Sequence, residues 1–303
     1  MNYKSILSNR NVRFKILNFL SFIPDTFMLR MQYRIKQGKK LNLDNPELFT
    51  EKIQWLKLHN RKDIYHSWID KYAVKDYVAS IIGEEYIIPT LGYWNNFDEI
   101  NFETLPNQFV LKTNIGGGGL NVVVCRDKSK LDFEDARKKL VLTSKVTGVS
   151  FGREWPYEGV KTCIIAEKLM QNANDSDLKD YKFFCFNGEP HYCQVIGDRS
   201  TDETIDFYDR NWNHQEFIGL NLEARHANTL AERPKNLSLM QDIARKLSEG
   251  QPFLRVDLYE INGKVYFGEI TFYPASGYGT FRPSEWDKKL GDLIELSLLN
   301  NGE

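Results

Sequence analysis

Alternation of apolar and polar positions is clearest between Phe253 and Gly277. FLRVDLYEINGKVYFGEITFYPASG reads there as two strands joined at Asn262-Gly263. In the first strand Leu254, Val256 and Leu258 point one way; Phe253, Arg255, Asp257 and Tyr259 point the other. In the second, Val265, Phe267, Glu269 and Thr271 share a face. The loop length decides how these faces combine. A two-residue loop pairs odd positions with even ones and sends Asp257 and Glu269 to opposite sides. A three-residue loop of Ile261, Asn262 and Gly263, with Gly263 in the left-handed bulge position, pairs odd with odd. The second register is expected, with Arg255, Asp257, Glu269 and Thr271 on one surface.

The rest of the chain alternates helical and strand patterns. Residues 10–37 read as helix interrupted at Pro24-Asp25, with Phe14, Leu17, Phe19, Leu20 and Ile23 on its apolar face. A second helix starts with Asn45 as cap and Pro46 in the first turn. A third, Ile69 to Ile82, puts Lys71 and Lys75 on one face and ends at Gly83. Residues 86–91 suggest a short strand. QFVLKTN is a clearer one and contains Lys112; Ile115-Gly116-Gly117-Gly118-Gly119 and the strand NVVVC follow. Asp132 caps a helix through about Lys145, and TCIIAEKLM is a strand running into Glu167-Lys168. Two strands flank Asn187-Gly188, with Asp180, Lys182 and Arg199 as their notable polar residues. TIDFYDRNWN is a strand and turn, and a helix capped by Asn236 leads into the hairpin.

Composition adds bounds. A chain of 303 residues with net charge -1 can hold two or three compact lobes. The charge is uneven. In residues 1–40, Lys4, Arg10, Arg13, Lys15, Arg30, Arg34, Lys36, Lys39 and Lys40 stand against Asp25 alone, which hints at an anionic partner surface or substrate met near the N-terminus, or at a solvated helical face. Cys125, Cys163, Cys185 and Cys193 form no CxxC and fit buried reduced thiols in a cytoplasmic protein. The five histidines show no metal-ligand spacing. No apolar run is long enough to span a bilayer, and no signal-peptide cleavage site is visible.

Two sets of residues carry candidate chemistry. Two carboxylates and an arginine on a core-facing hairpin suit Mg2+ holding a polyphosphate, or a structural ion pair. A strand–Gly-rich loop–strand unit can cradle phosphate through backbone N–H groups. It is not a Walker loop, because no Lys-Ser/Thr and no helix follow. Lys112, just upstream, favours nucleotide binding over a plain flexible tip.

In this order, these elements resemble an ATP-grasp enzyme. LNLDNPELFTEKIQWLK, DKYAVKDYV, LKDYKFFCFNGEP and the hairpin closely resemble the TupA-like ATP-grasp family, which is associated with teichuronopeptide and capsular-polysaccharide biosynthesis. The resemblance runs from about Gln37 to about Gly291. It implies an α+β fold: antiparallel sheets of two lobes enclosing the nucleotide, after a helical N-terminal region. The expected divisions are 1–105, a lid at 106–170 and a catalytic part at 171–303. By the same resemblance Lys71 and Lys112 reach the ATP phosphates, and Gly116, Gly117, Gly118 and Gly119 close over them. Glu167, Lys168 and Leu169 form the adenine hinge, Asp180 meets the ribose, and Lys182 lies near the phosphates. Asp257 and Glu269 hold Mg2+, with Arg255 beside the transferring phosphoryl group. Thr271 stands where the common pattern has Asn.

The implied reaction is ATP-dependent carboxylate–amine ligation through an acyl phosphate, joining an amino acid or amine to a carboxylated sugar of a cell-surface polysaccharide precursor. A phosphotransferase and a glycosyltransferase are the rivals, the latter hinted at only by Asp175-Ser176-Asp177. Arg153, Trp155, Arg199, Tyr273, Ser276 and Tyr278 are acceptor-site candidates. No nucleic-acid partner is expected. The basic N-terminus suggests peripheral contact with the inner face of a membrane.

Overall fold

The computed structural model describes residues 20–116, 121–144, 152–172, 178–197 and 203–299. Phe14, Leu17 and Phe19 lie outside them. Helix α1, Asp25–Gln37, begins after Pro24 and ends at Gly38 in the left-handed conformation (φ 71°), whose N–H reaches the Arg34 carbonyl. Its inner face buries Met28, Leu29 and Tyr33; Leu29 and Tyr33 pack with Leu41, Leu43 and Tyr278.

Helix α2, Phe49–His59, is capped differently from the expectation. Asn45 is engaged with Asn42 in a local turn, and Pro46 precedes the helix. The Glu51 carboxylate instead accepts the N–H groups of Glu47 and Leu48 at 3.1 and 3.2 Å. A charged acceptor at the positive end of a helix outcompetes a neutral amide. The expected helix from Ile69 is also broken. A short α3, Tyr65–Trp68, precedes a turn, and α4, Val74–Ile82, starts only after Asp70. The Asp70 side chain accepts from the N–H groups of Tyr72 and Ala73, so it acts as a cap. Lys71 therefore sits in the capping turn and Lys75 on the helix. The strand expected at 86–91 is shifted: β1 is Thr90–Trp94, beginning after Pro89, which has no N–H to give a ladder.

Two antiparallel sheets follow. The small one has the order β1–β4–β2–β3, with β2 Phe109–Thr113, β3 Val122–Cys125 and β4 Ile164–Lys168. It takes in β1 although β1 precedes residue 106. Helix α5, Phe133–Ser144, covers it, and Asp132 caps that helix through the Asp135 N–H. Phe97, Leu105, Phe109, Leu111 and Leu140 form its separate core.

The large sheet has the order β11–β10–β5–β6–β7–β8. Its strands are β5 Asp180–Phe186, β6 Glu189–Gly197, β7 Thr204–Asp209, β8 His214–Gln215, β10 Phe253–Ile261 and β11 Lys264–Thr271. Strands β9, Ile218–Gly219, and β12, Phe281–Arg282, pair apart from it. Helix α6, Leu237–Ser248, buries Met240, Ile243 and Leu247 against this sheet, in a core that also takes Phe49, Ile53 and Leu56 from α2. Asn236 precedes α6 as expected, but its amide bonds Glu260 and the Gly263 carbonyl, tying the helix start to the hairpin turn. Helix α7, Glu285–Asp292, packs on α2. All four cysteines are buried thiols.

The β10–β11 hairpin corrects the expected loop. Asn262 and Gly263 both have positive φ (52° and 75°) and form a two-residue turn closed by the pair Ile261–Lys264. Near the turn, odd positions therefore face even ones, as Tyr259 faces Tyr266 and Leu258 faces Phe267. The register then slips at a bulge around Gly268, after which Asp257 faces Glu269 and Arg255 faces Thr271. A Cβ on Gly268 would lie 2.9 Å from the Tyr259 ring and 3.0 Å from the Asp257 carbonyl, so the slip depends on glycine. The turn has two residues where three are expected, and an extra residue inside the strand restores the shared face.

Candidate active site

A cleft of about 890 Å3 opens between the sheets. Strand β2 turns Val110 and Lys112 towards it and buries Phe109, Leu111 and Thr113 behind. Neighbouring β4 delivers Glu167, 5% exposed, whose two oxygens lie 2.6 Å from Lys75 Nζ and 2.7 Å from Lys112 Nζ. Burial opposes ionisation of Glu167, but Lys112 and Lys75 outweigh it and hold its carboxyl below the usual range. Burial pushes the Lys75 amine down against the pull of Glu167. Lys75 also donates to the Ile88 carbonyl and the Thr90 hydroxyl. Lys75 is a cleft residue that the sequence pattern does not single out. Its only signal was the four-residue spacing from Lys71.

The opposite wall comes from β5, β10 and β11. Arg255 Nε and Nη2 donate to the two oxygens of Asp257 at 2.7 and 2.8 Å. Arg255 Nη2 also donates to Thr271 Oγ1 at 2.9 Å, and that hydroxyl donates to Glu269 Oε1 at 3.1 Å. Lys182, cross-strand from Asp257, bonds its carboxylate and lies 2.9 Å from Asp180 Oδ2. Lys71 Nζ is 3.6 Å from Glu269 Oε2 and donates to the Gly116 carbonyl. Burial pushes the Glu269 carboxyl up, but Lys71, Arg255 and Lys182 overcome it and hold it at about 2. For Asp257, burial pushes the carboxyl upward against Arg255 and Lys182.

Lys71, Lys112, Gly116, Glu167, Lys168, Leu169, Asp180, Lys182, Arg255, Asp257 and Glu269 thus line one cleft, with Thr271 bonded to two of them. Gly117, Gly118 and Gly119 lie outside the described residues. The acceptor-site candidates fare differently. Arg153 is buried and donates to the Leu20 and Ser21 carbonyls and to Asp25. Trp155 is buried, its ring meeting His66 edge-on. Tyr273 is buried. Tyr278 donates its hydroxyl to Gln32, and Ser276 accepts from the fully buried Lys57. None of these five lines the cleft. Large aromatics directly after a core strand fill the core, and Arg153 fastens the chain before α1. Arg199 and Asp175-Ser176-Asp177 lie outside the described residues. From the turn after β11 it is Ala275 (φ 48°) that reaches the cleft.

The family model TupA-like ATPgrasp matches residues 51–295. No curated protein matches the chain. Similar solved structures include D-alanine–D-alanine ligase from Helicobacter pylori, 17% identical with a TM-score of 0.40, over 81% of this chain and 69% of that one. The Bacillus anthracis ligase complexed with ATP is 16% identical with a TM-score of 0.44, over 78% and 66%. The ADP complex of purK, N5-carboxyaminoimidazole ribonucleotide synthetase, is 16% identical with a TM-score of 0.40, over 73% and 50%. With the family model spanning both sheets and the hairpin, the chain belongs to the TupA-like ATP-grasp family.

Proposed function

We propose that the cleft holds ATP with its phosphates between Lys112 on one side and Lys71, Arg255, Asp257 and Glu269 on the other. The convergence of these side chains from different elements on one cleft is the observation that carries this reading. The donor set fits Mg2+: two carboxylates directly across a strand pair, with a hydroxyl two residues on, are hard oxygen ligands. Asp257 and Glu269 would hold the ion, and the chemistry it would supply when bound is neutralisation of phosphoryl-oxygen charge.

The walls support the phosphoryl-transfer half of a ligation, and the amide-forming half is proposed with it. A substrate carboxylate attacks the γ-phosphorus, giving an acyl phosphate and ADP. An amine then attacks the acyl carbon, phosphate leaves, and the amine proton is released. Arg255 and the lysines stabilise charge on the transferring group, and the remaining task is positioning. Among the described residues lining the cleft there is no serine, cysteine or histidine to act as a covalent nucleophile, which favours direct transfer. The acceptor class proposed is a carboxylated sugar of a cell-surface polysaccharide precursor, and this rests on the family's association. The test is mass spectrometry of products after incubation with ATP, Mg2+ and a panel of uronic acids and amino acids. An amide product, with phosphate released only when both partners are present, is expected. A phosphorylated sugar formed without amine would replace ligation by phosphotransfer.

A membrane contact is a second reading, supported by the outer face of α1. Phe27 is 60% and Ile35 51% exposed, with Met31 between them and Arg30 and Arg34 beside them. Among the described residues no helix is long and apolar enough to cross a membrane. Flotation with phosphatidylglycerol vesicles, lost in Phe27→Glu and absent with phosphatidylcholine, is expected; equal flotation of the variant would end this reading.

A further inference from the structure

A second constellation lies apart from the cleft, and none of its residues lines it. Asp206 is on β7, His214 opens β8 after the turn at 209–213, and His226 belongs to the connection 220–236, which has no helix or strand. His214 Nε2 and His226 Nδ1 each lie 2.8 Å from the same oxygen, Asp206 Oδ1. The other oxygen, Oδ2, accepts the Ala227 N–H at 3.1 Å, which fixes the carboxylate orientation. The three ligand atoms fall within 4.8 Å of one another. The Asp206 side chain is 4% exposed, while those of His214 and His226 are 19% and 34% exposed, so the cluster opens to water on one side.

We propose that Asp206, His214 and His226 bind a divalent transition metal of the zinc class. Two imidazoles and one carboxylate are a borderline-soft donor set, and three protein ligands with a water-facing position are a familiar zinc arrangement. Zinc–ligand bonds of about 2.0–2.2 Å in a tetrahedral site separate N and O by roughly 3.3 Å. The histidines would need to open by only a few tenths of an ångström for an ion to enter. The set is invisible as sequence spacing, because a turn and a bridge assemble it: Thr204 pairs with Arg225, and the Ile205 N–H bonds the Arg225 carbonyl. The ion would fasten the connection 220–236 to β7. That connection begins with Leu220 and Asn221, which do line the cleft, so the metal would brace one cleft wall without touching nucleotide.

The test is calorimetric titration of the full chain, stripped with EDTA, with Zn2+ in excess Mg2+, which saturates hard-oxygen sites. One equivalent should bind, and His226→Ala should weaken it at least tenfold while circular dichroism stays unchanged. His226 is partly exposed, so its loss should be tolerated. Co2+ in place of Zn2+ should give visible d–d bands of low-coordinate imidazole ligation, absent in His214→Ala. No saturable Zn2+ binding, or unaltered binding in His226→Ala, would overturn the proposal. Should the variants fail to fold, an octahedral, water-like Co2+ spectrum of the unsubstituted protein would overturn it as well.

Discussion

The two walls of the cleft hold their charges differently. On the small sheet one carboxylate, Glu167, serves two lysines, Lys75 and Lys112. On the large sheet Asp180, Asp257 and Glu269 stand among Lys182, Arg255 and Lys71. The first wall has a surplus of positive charge and suits an anion. The second is balanced and rich in oxygen donors, so a divalent cation entering there adds attraction to Asp257 and Glu269, whose burial opposes their charge. On the proposed reading, one wall meets phosphate directly and the other meets it through an ion.

The contrast can be broken most forcefully at Glu269. Glu269→Gln keeps the shape but removes a charged ligand. Turnover in the product assay should fall by roughly 10³-fold or more, as expected for losing several kcal/mol of metal-assisted charge stabilisation, with the circular dichroism spectrum unchanged. Asp257→Asn should act alike. On the other wall the effects are smaller and unequal. Lys112→Ala removes a charged donor worth about 1.5–3 kcal/mol, so nucleotide affinity should drop on the order of 10- to 100-fold by calorimetry. Lys75→Ala should cost less, because Lys75 also serves the Ile88 carbonyl and Thr90. Equal losses in the two would show that Glu167 shares its lysines symmetrically with the ligand.

Gly268→Ala sharpens the comparison through geometry. The added methyl meets the Tyr259 ring and the Asp257 carbonyl, so urea denaturation should show a loss of about 1–3 kcal/mol, with Mg2+ dependence weakened as the register shifts. The smallest effect is acid sensitivity. Glu269 is held at about 2, below its unfolded value of about 4.3, so its contribution to stability is complete above that value. It is lost as pH falls from about 4.3 towards 2. A third of the side chain is exposed, so water screens part of the effect. The stability gap between the protein and Glu269→Gln should narrow across that window in chemical denaturation.

Much of this was legible in the sequence where one strand carried its own alternation. Lys112 on β2 follows from a period of two, and the Asn187-Gly188 turn (φ 51° and 82°) from its dipeptide; within each hairpin strand the pairs Arg255/Asp257 and Glu269/Thr271 also follow from that period. The hairpin loop did not, because a bulge at Gly268 changes parity without any mark except a glycine inside a strand. Two helix starts differ from the pattern: Glu51 takes the capping role expected of Asn45, and the Asp70 side chain holds a turn before Val74 where the apolar pattern runs on from Ile69. The aromatics near Tyr273 and Tyr278 looked like a sugar platform because sequence records residue type and not depth. Asp206, His214 and His226 were invisible because tertiary pairing alone brings them together.

The central claim is that the large-sheet wall meets the nucleotide through a divalent ion held by Asp257 and Glu269. Calorimetry with a non-hydrolysable ATP analogue, with and without Mg2+, tests it directly on the unsubstituted protein and Glu269→Gln. Mg2+ should tighten binding to the unsubstituted protein at least tenfold and have little effect on the variant. Affinity indifferent to Mg2+ in the unsubstituted protein, or the same Mg2+ enhancement in the variant, would contradict it.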